Sequence, residues 1–353
     1  MVFIHHFFMA FAGKTLDFSL FQGYGPCGVT FFFILSGFVM TAGYGDNVLK
    51  PNLGYASFLK KRFVRIYPLH LLCLILALFA YMYANHLGGL PMSCGDMKIY
   101  LASVLLLQTW IPLRTVYYGC NDVAWFLADI LFFYALFPMA VRVVYRLSGR
   151  RLLWVMIIVL AVYCLMLPCV PKQKVHWAIY ICPPVRFLDF AWGIVLYRLF
   201  TTVEKNGRLM CKINAMSITA KTAIELFSLL SVVVVLQLQG MLSERWGYAS
   251  VYWPVMFVLI FIFAVSGKYG GGIVSRFFEN KLFYRLGALS FTFYMIHFVV
   301  IRVLKTFMQD KGIHWSLCLQ LSLCLLIAWG GAYIISRFYE KPVTHYLKSK
   351  IKE

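Results

Sequence analysis

Of 353 residues, 62% are hydrophobic and 18% aromatic, against 13% charged, and the mean hydropathy of +0.78 is far above what a water-soluble core requires. At about 20 helical residues per crossing of a hydrocarbon layer roughly 30 Å thick, the chain has room for about ten spans, which excludes a sizeable separate soluble domain. The net charge of +20 does not indicate nucleic acid, because the lysines and arginines stand at the ends of apolar runs instead of on a water-facing surface.

In chain order, hydropathy predicts spans near 1–12, 27–45, 63–84, 121–145, 152–168, 184–200, 222–240, 250–266, 285–307 and 315–337. The expectation is an all-α polytopic membrane helical bundle with about ten transmembrane helices. Residues 1–345 form a single transmembrane domain and 346–353 a basic tail. The first run is short for a crossing, and its opening Met-Val-Phe-Ile-His-His lacks the basic start and small-residue cleavage site of a signal peptide. An eleventh apolar stretch, Ile99–Leu113, ends in Trp110-Ile-Pro112 and is brief enough to be re-entrant or interfacial. If it does not cross, the basic clusters fall in alternate loops: Lys50 to Arg65, Arg142 to Arg151, Arg198 to Lys221, Lys268 to Arg285, and Arg337 to Lys352. That asymmetry follows the positive-inside rule and predicts an integral membrane protein with both termini cytoplasmic.

Ten cysteines contain no Cys-x-x-Cys pair, so no zinc site is expected. Cys94, Cys120, Cys169 and Cys182 fall in segments assigned to the non-cytoplasmic side, where a disulfide or free thiols are equally compatible with the pattern. Gly270-Gly271-Gly272 lacks a following Gly-Lys-Ser/Thr and a preceding strand, so it reads as a flexible cytoplasmic turn and not a phosphate loop.

Polar groups at membrane depth are costly and therefore functional suspects. His5 and His6 lie in the first apolar run, and a histidine accepts a proton from a hydroxyl at ordinary pH. The segment Gly25-Pro-Cys-Gly28-Val-Thr-Phe-Phe-Phe-Ile-Leu-Ser36-Gly37-Phe38 offers small residues for close helix approach, with Ser36 able to bond a carbonyl or ligand. In Lys60-Lys-Arg62-Phe-Val-Arg65-Ile-Tyr-Pro68, Arg62 and Arg65 share a helix face and suit a common polyanion. Tyr294 and His297 share a face in the same way. Glu340 is one of only 13 acidic residues and is placed to neutralise the arginine cluster.

Taken in order, Gly28-Val-Thr-Phe-Phe-Phe-Ile-Leu-Ser36-Gly37-Phe38, Arg62-Phe-Val-Arg65-Ile-Tyr-Pro68, Trp125-Phe-Leu, Tyr294-Met-Ile-His297 and Glu340-Lys-Pro342 resemble the acyltransferase 3 family of membrane O-acyltransferases, nearly end to end. Arg186-Phe-Leu-Asp189-Phe-Ala-Trp-Gly193 is similar to that family's sixth span. The resemblance implies transfer of an acyl group, with acetyl expected, from cytoplasmic acyl-CoA as donor co-substrate to a hydroxyl of a cell-surface or lipid-linked glycan. It also implies a bacterial inner membrane location, no permanently bound cofactor or metal, and no nucleic acid partner.

Carried over by position, the resemblance implies that His5 is the catalytic histidine, with His6 as the second-choice registration, and that Arg62 and Arg65 hold the CoA phosphates. Ser36, Tyr294, His297 and Glu340 give substrate or structural support, with Ser36 among the donors to the developing oxyanion. The family's Arg-x10-His spacing, counted back from His5, falls before Met1, so the expectation is an N-terminally truncated chain. Asp129, where relatives show a glutamate nearby, stays outside the catalytic set. A multi-pass transporter or flippase for an anionic or lipid-linked substrate is the alternative reading.

Overall fold

The computed structural model describes residues 1–11, 24–50, 54–86, 97–239, 241–249 and 253–351. Cys94, Lys352 and the ends of three predicted spans lie outside the described residues. Among those described, every regular element is helical.

Among the described residues ten helices carry the bundle: α1 Val2–Phe11, α2 Tyr24–Leu49, α3 Tyr55–His86, α4 Trp125–Arg146, α5 Gly149–Met166, α6 Pro183–Glu204, α7 Ile218–Gln239, α8 Trp253–Tyr269, α9 Lys281–Asp310 and α10 Leu317–Ile335. The last nine fall within segments long and apolar enough to cross a membrane. The tenth, α1, has 10 residues and rises only about 15 Å, half a hydrocarbon layer. A short final helix, α11 Lys341–Ser349, follows a wider turn over Ser336–Glu340.

Local chemistry explains several starts. Asn280 accepts from the backbone N–H of Leu282 and Phe283, Ser148 from Arg151, and Ser316 from Leu319, which satisfies N–H groups that a helix leaves open. Pro183 and Pro184 open α6, where the missing N–H costs nothing.

Hydrogen bonds between loops sort the connections into two ends. At one end, Arg142 on α4 donates to Val48, Arg198 on α6 to Val144 and Leu147, Lys221 on α7 to Gly270, and Tyr339 to Pro68. At the other, Trp177 donates to Thr109, Arg245 to Leu167, and Arg302 pairs with Asp122. The first set gathers the five basic clusters, so it is called the basic end and the second the far end. Ile99–Leu113 does not cross. It breaks into short helices at Met97–Val104 and Gln108–Trp110 around Leu106, whose φ is 56°. Buried Ser103, Gln108 and Thr109 tuck this segment into the bundle, with His70 donating to the Ser103 carbonyl at 2.8 Å.

In lipid, apolar area gives little drive for one helix to associate with another, so close packing must supply it. The tightest crossing is α2 on α6. A Cβ on Gly37 would lie 2.0 Å from the Phe190 carbonyl oxygen, and one on Gly193 would lie 2.0 Å from that of Ile34. Only glycine at both positions lets the backbones meet. The same small-residue logic seats α1, because Gly25 lies against His5 and Gly28 against Val2. The helix therefore runs antiparallel to α2 and fills only the far half of the gap between α2 and α9. In contrast, no side chain of α5 is buried, and Leu153, Trp154, Ile158 and Leu165 form a lipid-facing edge.

The glycine triplet is not a flexible turn. Gly270 adopts φ 77°, and the following backbone wraps the Glu225 carboxylate, which accepts from Gly272 N–H, Ser275 N–H, Ser275 Oγ and Ser266 Oγ at 2.7–3.2 Å. A buried acid that accepts four donors is a staple between α7 and α8, which is why this turn is ordered.

Candidate active site

A cavity of about 750 Å³ occupies the far half of the bundle. Its walls come from α1 (Val2, His5, His6), the start of α2 (Gly25, Val29), Trp125 on α4, Tyr294 on α9, and the far-end segments that carry Arg114, Tyr118, Asp122, His176, Tyr180, Glu244 and Tyr248. His5 therefore faces a cavity and not the lipid. Its ring rests on Gly25, where an added Cβ would stand 2.9 Å from Cδ2, so the glycine is what gives the imidazole its place.

Behind it, His5 and His6 rings are 5.3 Å apart, and His6 and His297 rings 5.4 Å apart. His297 Nδ1–H donates to the Tyr294 carbonyl at 2.6 Å, which fixes the orientation of the ring. Tyr294 and His297 thus divide the work their spacing suggested. Tyr294 reaches the cavity and donates to the Val123 carbonyl at 3.2 Å, whereas His297 is buried behind α1.

The opposite wall was not visible in the sequence. His176 is held by both ring nitrogens, Nδ1 2.9 Å from the Tyr117 hydroxyl and Nε2 3.2 Å from that of Tyr118, and it packs edge-on against Tyr180 and Tyr248. Burial pushes the Tyr118 phenol well above its ordinary value, with neighbouring tyrosines adding to the effect, so it stays protonated. Asp122 pairs with Arg302 at 3.0 Å. Deeper still, Arg186 and Asp189 are fully buried and paired at 3.0 Å, with Arg186 also donating to Thr30 and lying 5.5 Å from the Tyr180 ring centroid. This ion pair braces α6 against α2 directly behind the cavity wall. Asp129 is buried in the same region and feels the Arg186 charge.

A second, smaller cavity of about 200 Å³ lies toward the basic end, lined by Ser36, Arg65, Ile66, Phe126, Leu127, Ile130, Tyr134 and Phe291. Ser36 therefore does not stand with His5; it stands with Arg65. The reason is geometric, because Gly25 and Ser36 are eleven residues apart on one helix, about 16 Å. Nor do Arg62 and Arg65 act as one fork. Arg62 donates to the Tyr44 hydroxyl at 2.5 Å and lies 4.2 Å over its ring, while Arg65 is exposed at the cavity. Lys348 on α11 feels the charges of both arginines, so three cations gather at this mouth. Glu340 does not neutralise them. It is buried and accepts from Thr292 on α9, which ties the end of α10 to that helix.

Between the cavities stands one layer of aromatic rings: Phe32, Phe126 and Tyr294, with centroids 5.4–6.5 Å apart. Among the described residues no cluster of three or more His, Cys, Asp or Glu side chains fits a metal ion. Cys169 and Cys182 are free thiols.

These features define a helical membrane protein with an imidazole in a far-end cavity and a cationic cavity at the basic end. Residues 1–337 match the acyltransferase domain family, acyltransferase 3; the chain belongs to this family and is an enzyme that transfers acyl groups. It is 28% identical over 303 residues to the acyltransferase MdmB of Streptomyces mycarofaciens, covering 79% of this chain and 68% of that protein. It is also 41% identical over 69 residues to protein 2 in the picA locus of Rhizobium radiobacter, 20% of this chain and 36% of that protein. No solved structure matches the chain.

Proposed function

We propose that the enzyme is a membrane O-acyltransferase that takes an acyl group, acetyl by preference, from cytoplasmic acyl-CoA and transfers it to a hydroxyl of a cell-surface or lipid-linked glycan. In this reading it sits in a bacterial inner membrane with its basic end and its C-terminus in the cytoplasm. The observation that carries the reading is the division into two cavities on either side of one aromatic layer. Arg65, Arg62 and Lys348 at the basic mouth suit the phosphates of CoA, since none of the three is neutralised by an acidic side chain among the described residues and each charge-assisted contact to phosphate is strong. The far cavity, walled by Trp125, Tyr118, Tyr180 and Tyr248, suits a sugar ring, whose C–H faces lie well on aromatic rings while its hydroxyls find the polar tips.

His5 is the base. Its imidazole takes the proton from the acceptor hydroxyl as that oxygen attacks the thioester carbonyl carbon. The carbonyl oxygen gains charge, for which the Arg114 guanidinium in the same cavity is the available cation. When the C–S bond breaks, the sulfur leaves with the bonding pair and recovers the proton from His5, so an ester and a free thiol are formed and the imidazole is neutral again. Membranes that contain the full chain, given acetyl-CoA labelled in the acetyl group, should place the label in alkali-labile ester linkage on saccharide. Label that stays on thioester, or that reaches only protein or fatty acid, would remove the glycan reading.

A further inference from the structure

Three helices change cavity at the same level. On α2, Val29 faces the far cavity and Ser36 the basic one, with Phe32 between. On α4, Trp125 faces the far cavity and Phe126 the other; on α9, Tyr294 faces the far cavity and Phe291 the other. The partition is therefore a single aromatic layer, Phe32, Phe126 and Tyr294, each ring within 6.5 Å of the other two. The three are not held equally. Phe126 is stacked on fully buried Phe33 at 4.6 Å, and Tyr294 is pinned through its hydroxyl to Val123. Phe32 is 37% exposed and has neither restraint.

We propose that Phe32, Phe126 and Tyr294 form the aperture through which the acyl group reaches His5, and that their rings limit it to short acyl groups. This rests on the reading that the donor binds at the basic mouth and the histidine acts in the far cavity. A thioester carried from Arg65 to His5 must pass this layer, because the two residues line different cavities. A two-carbon acyl group passes when the loosely held Phe32 ring turns aside. A longer chain needs the stacked Phe126 to move as well, and that stack resists.

The test compares transfer from acetyl-, butyryl- and hexanoyl-CoA in membranes containing the full chain or its variants. Wild type should lose rate steeply with each added pair of carbons. Phe126→Ala should raise the hexanoyl-to-acetyl ratio by about tenfold or more, the range by which a pocket discriminates small apolar increments. Phe32→Trp should slow acetyl transfer itself. Phe79→Ala, on a lipid-exposed position of α3, should leave the profile unchanged. Where Phe126→Ala yields little folded protein, Phe126→Leu gives the same ordering with a smaller change.

A second measurement is independent of the donor. Met9→Cys, at an exposed position of the far cavity and with the native cysteines replaced by serine, should react with a membrane-impermeant maleimide from the far side only, and from both sides once Phe126→Ala or Phe32→Ala is added. An unchanged length profile together with unchanged sidedness overturns the aperture. Absence of transfer from any acyl-CoA in wild type, with the sidedness change present, leaves the aperture standing and overturns the donor reading instead.

Discussion

The two cavities are built from the same helices yet differ in how their charges are treated. In the far cavity the buried or half-buried charges meet partners: Arg302 with Asp122 and, behind the wall, Arg186 with Asp189. Arg114 and Glu244 stand exposed on its wall, and the rest of its polar surface is mainly aromatic hydroxyl and imidazole. At the basic cavity, Arg65 makes no hydrogen bond or ion pair among the described residues, and Lys348 adds like charge. Unpaired cations at a membrane mouth repel each other and are retained only where an anion relieves them. On the proposed reading the difference separates the tasks: one cavity would position a hydroxyl-bearing acceptor beside a base, and the other would receive a polyanion.

That contrast is broken most severely at His5. His5→Ala should lower kcat by about 10²–10⁴-fold, the usual contribution of a positioned base, with little change in KM for acyl-CoA, because the donor is gripped elsewhere. Turnover of labelled donor at saturating acceptor measures this, and a loss confined to KM would move His5 out of the chemistry. Gly25→Ala tests the same point without touching the imidazole. Its new methyl would stand within 3 Å of the ring, and a displacement of the base by about 1 Å costs on the order of 10²-fold. Full activity in Gly25→Ala would mean that the ring has another productive position.

How much of this was legible in the sequence follows from which constraints are local. The bilayer forces every backbone group into a helix, so hydropathy and alternating lysine and arginine clusters suffice for the ten helices, the shortness of α1 and the non-crossing Ile99–Leu113. Small residues at Gly37 pointed to close approach, and the structure supplies the partner, Gly193. His5 stood out because a titratable group in an apolar run has few structural excuses. Ser36 was misplaced because a motif reads as one unit, whereas the helix carrying it spans both cavities. Glu340 was assigned by charge, but its burial against Thr292 depends on how α10 meets α9, which no spacing encodes. His176, Arg114 and Tyr248 were missed because they lie in far-end segments without periodicity. The Tyr117-Tyr118 doublet beside Arg114, and the rarity of acids such as Asp122 and Glu244, were the available signals.

Smaller effects are expected at the basic mouth, and they sharpen the comparison by separating two arginines that share a helix face. Arg65→Gln should raise KM for acyl-CoA about tenfold, one lost charge-assisted contact, and leave kcat near wild type. Arg62→Gln should raise it only about threefold, since the guanidinium already spends its donors on Tyr44 and its field is screened at a half-exposed position. Donor titrations at fixed acceptor distinguish the two, and raising the salt concentration should narrow the gap between wild type and both variants. Equal effects would restore the picture of a single two-armed grip.

The smallest kinetic effect belongs to Glu340, although it is a buried acid of the basic half. Were it a counter-charge to the arginines, Glu340→Gln would make the mouth more positive and lower KM for the donor. Its contact is instead with the Thr292 hydroxyl on α9, and glutamine keeps an acceptor oxygen at that place while losing the charge assistance. The variant should therefore leave both kinetic constants within about twofold and cost stability by about 1–2 kcal/mol, the size of one charged hydrogen bond, read as earlier thermal aggregation in detergent. A KM that falls with no change in stability would return Glu340 to the donor site. The expected pattern instead makes it a clamp that holds α10, and through α11 the cation Lys348, against the mouth it serves.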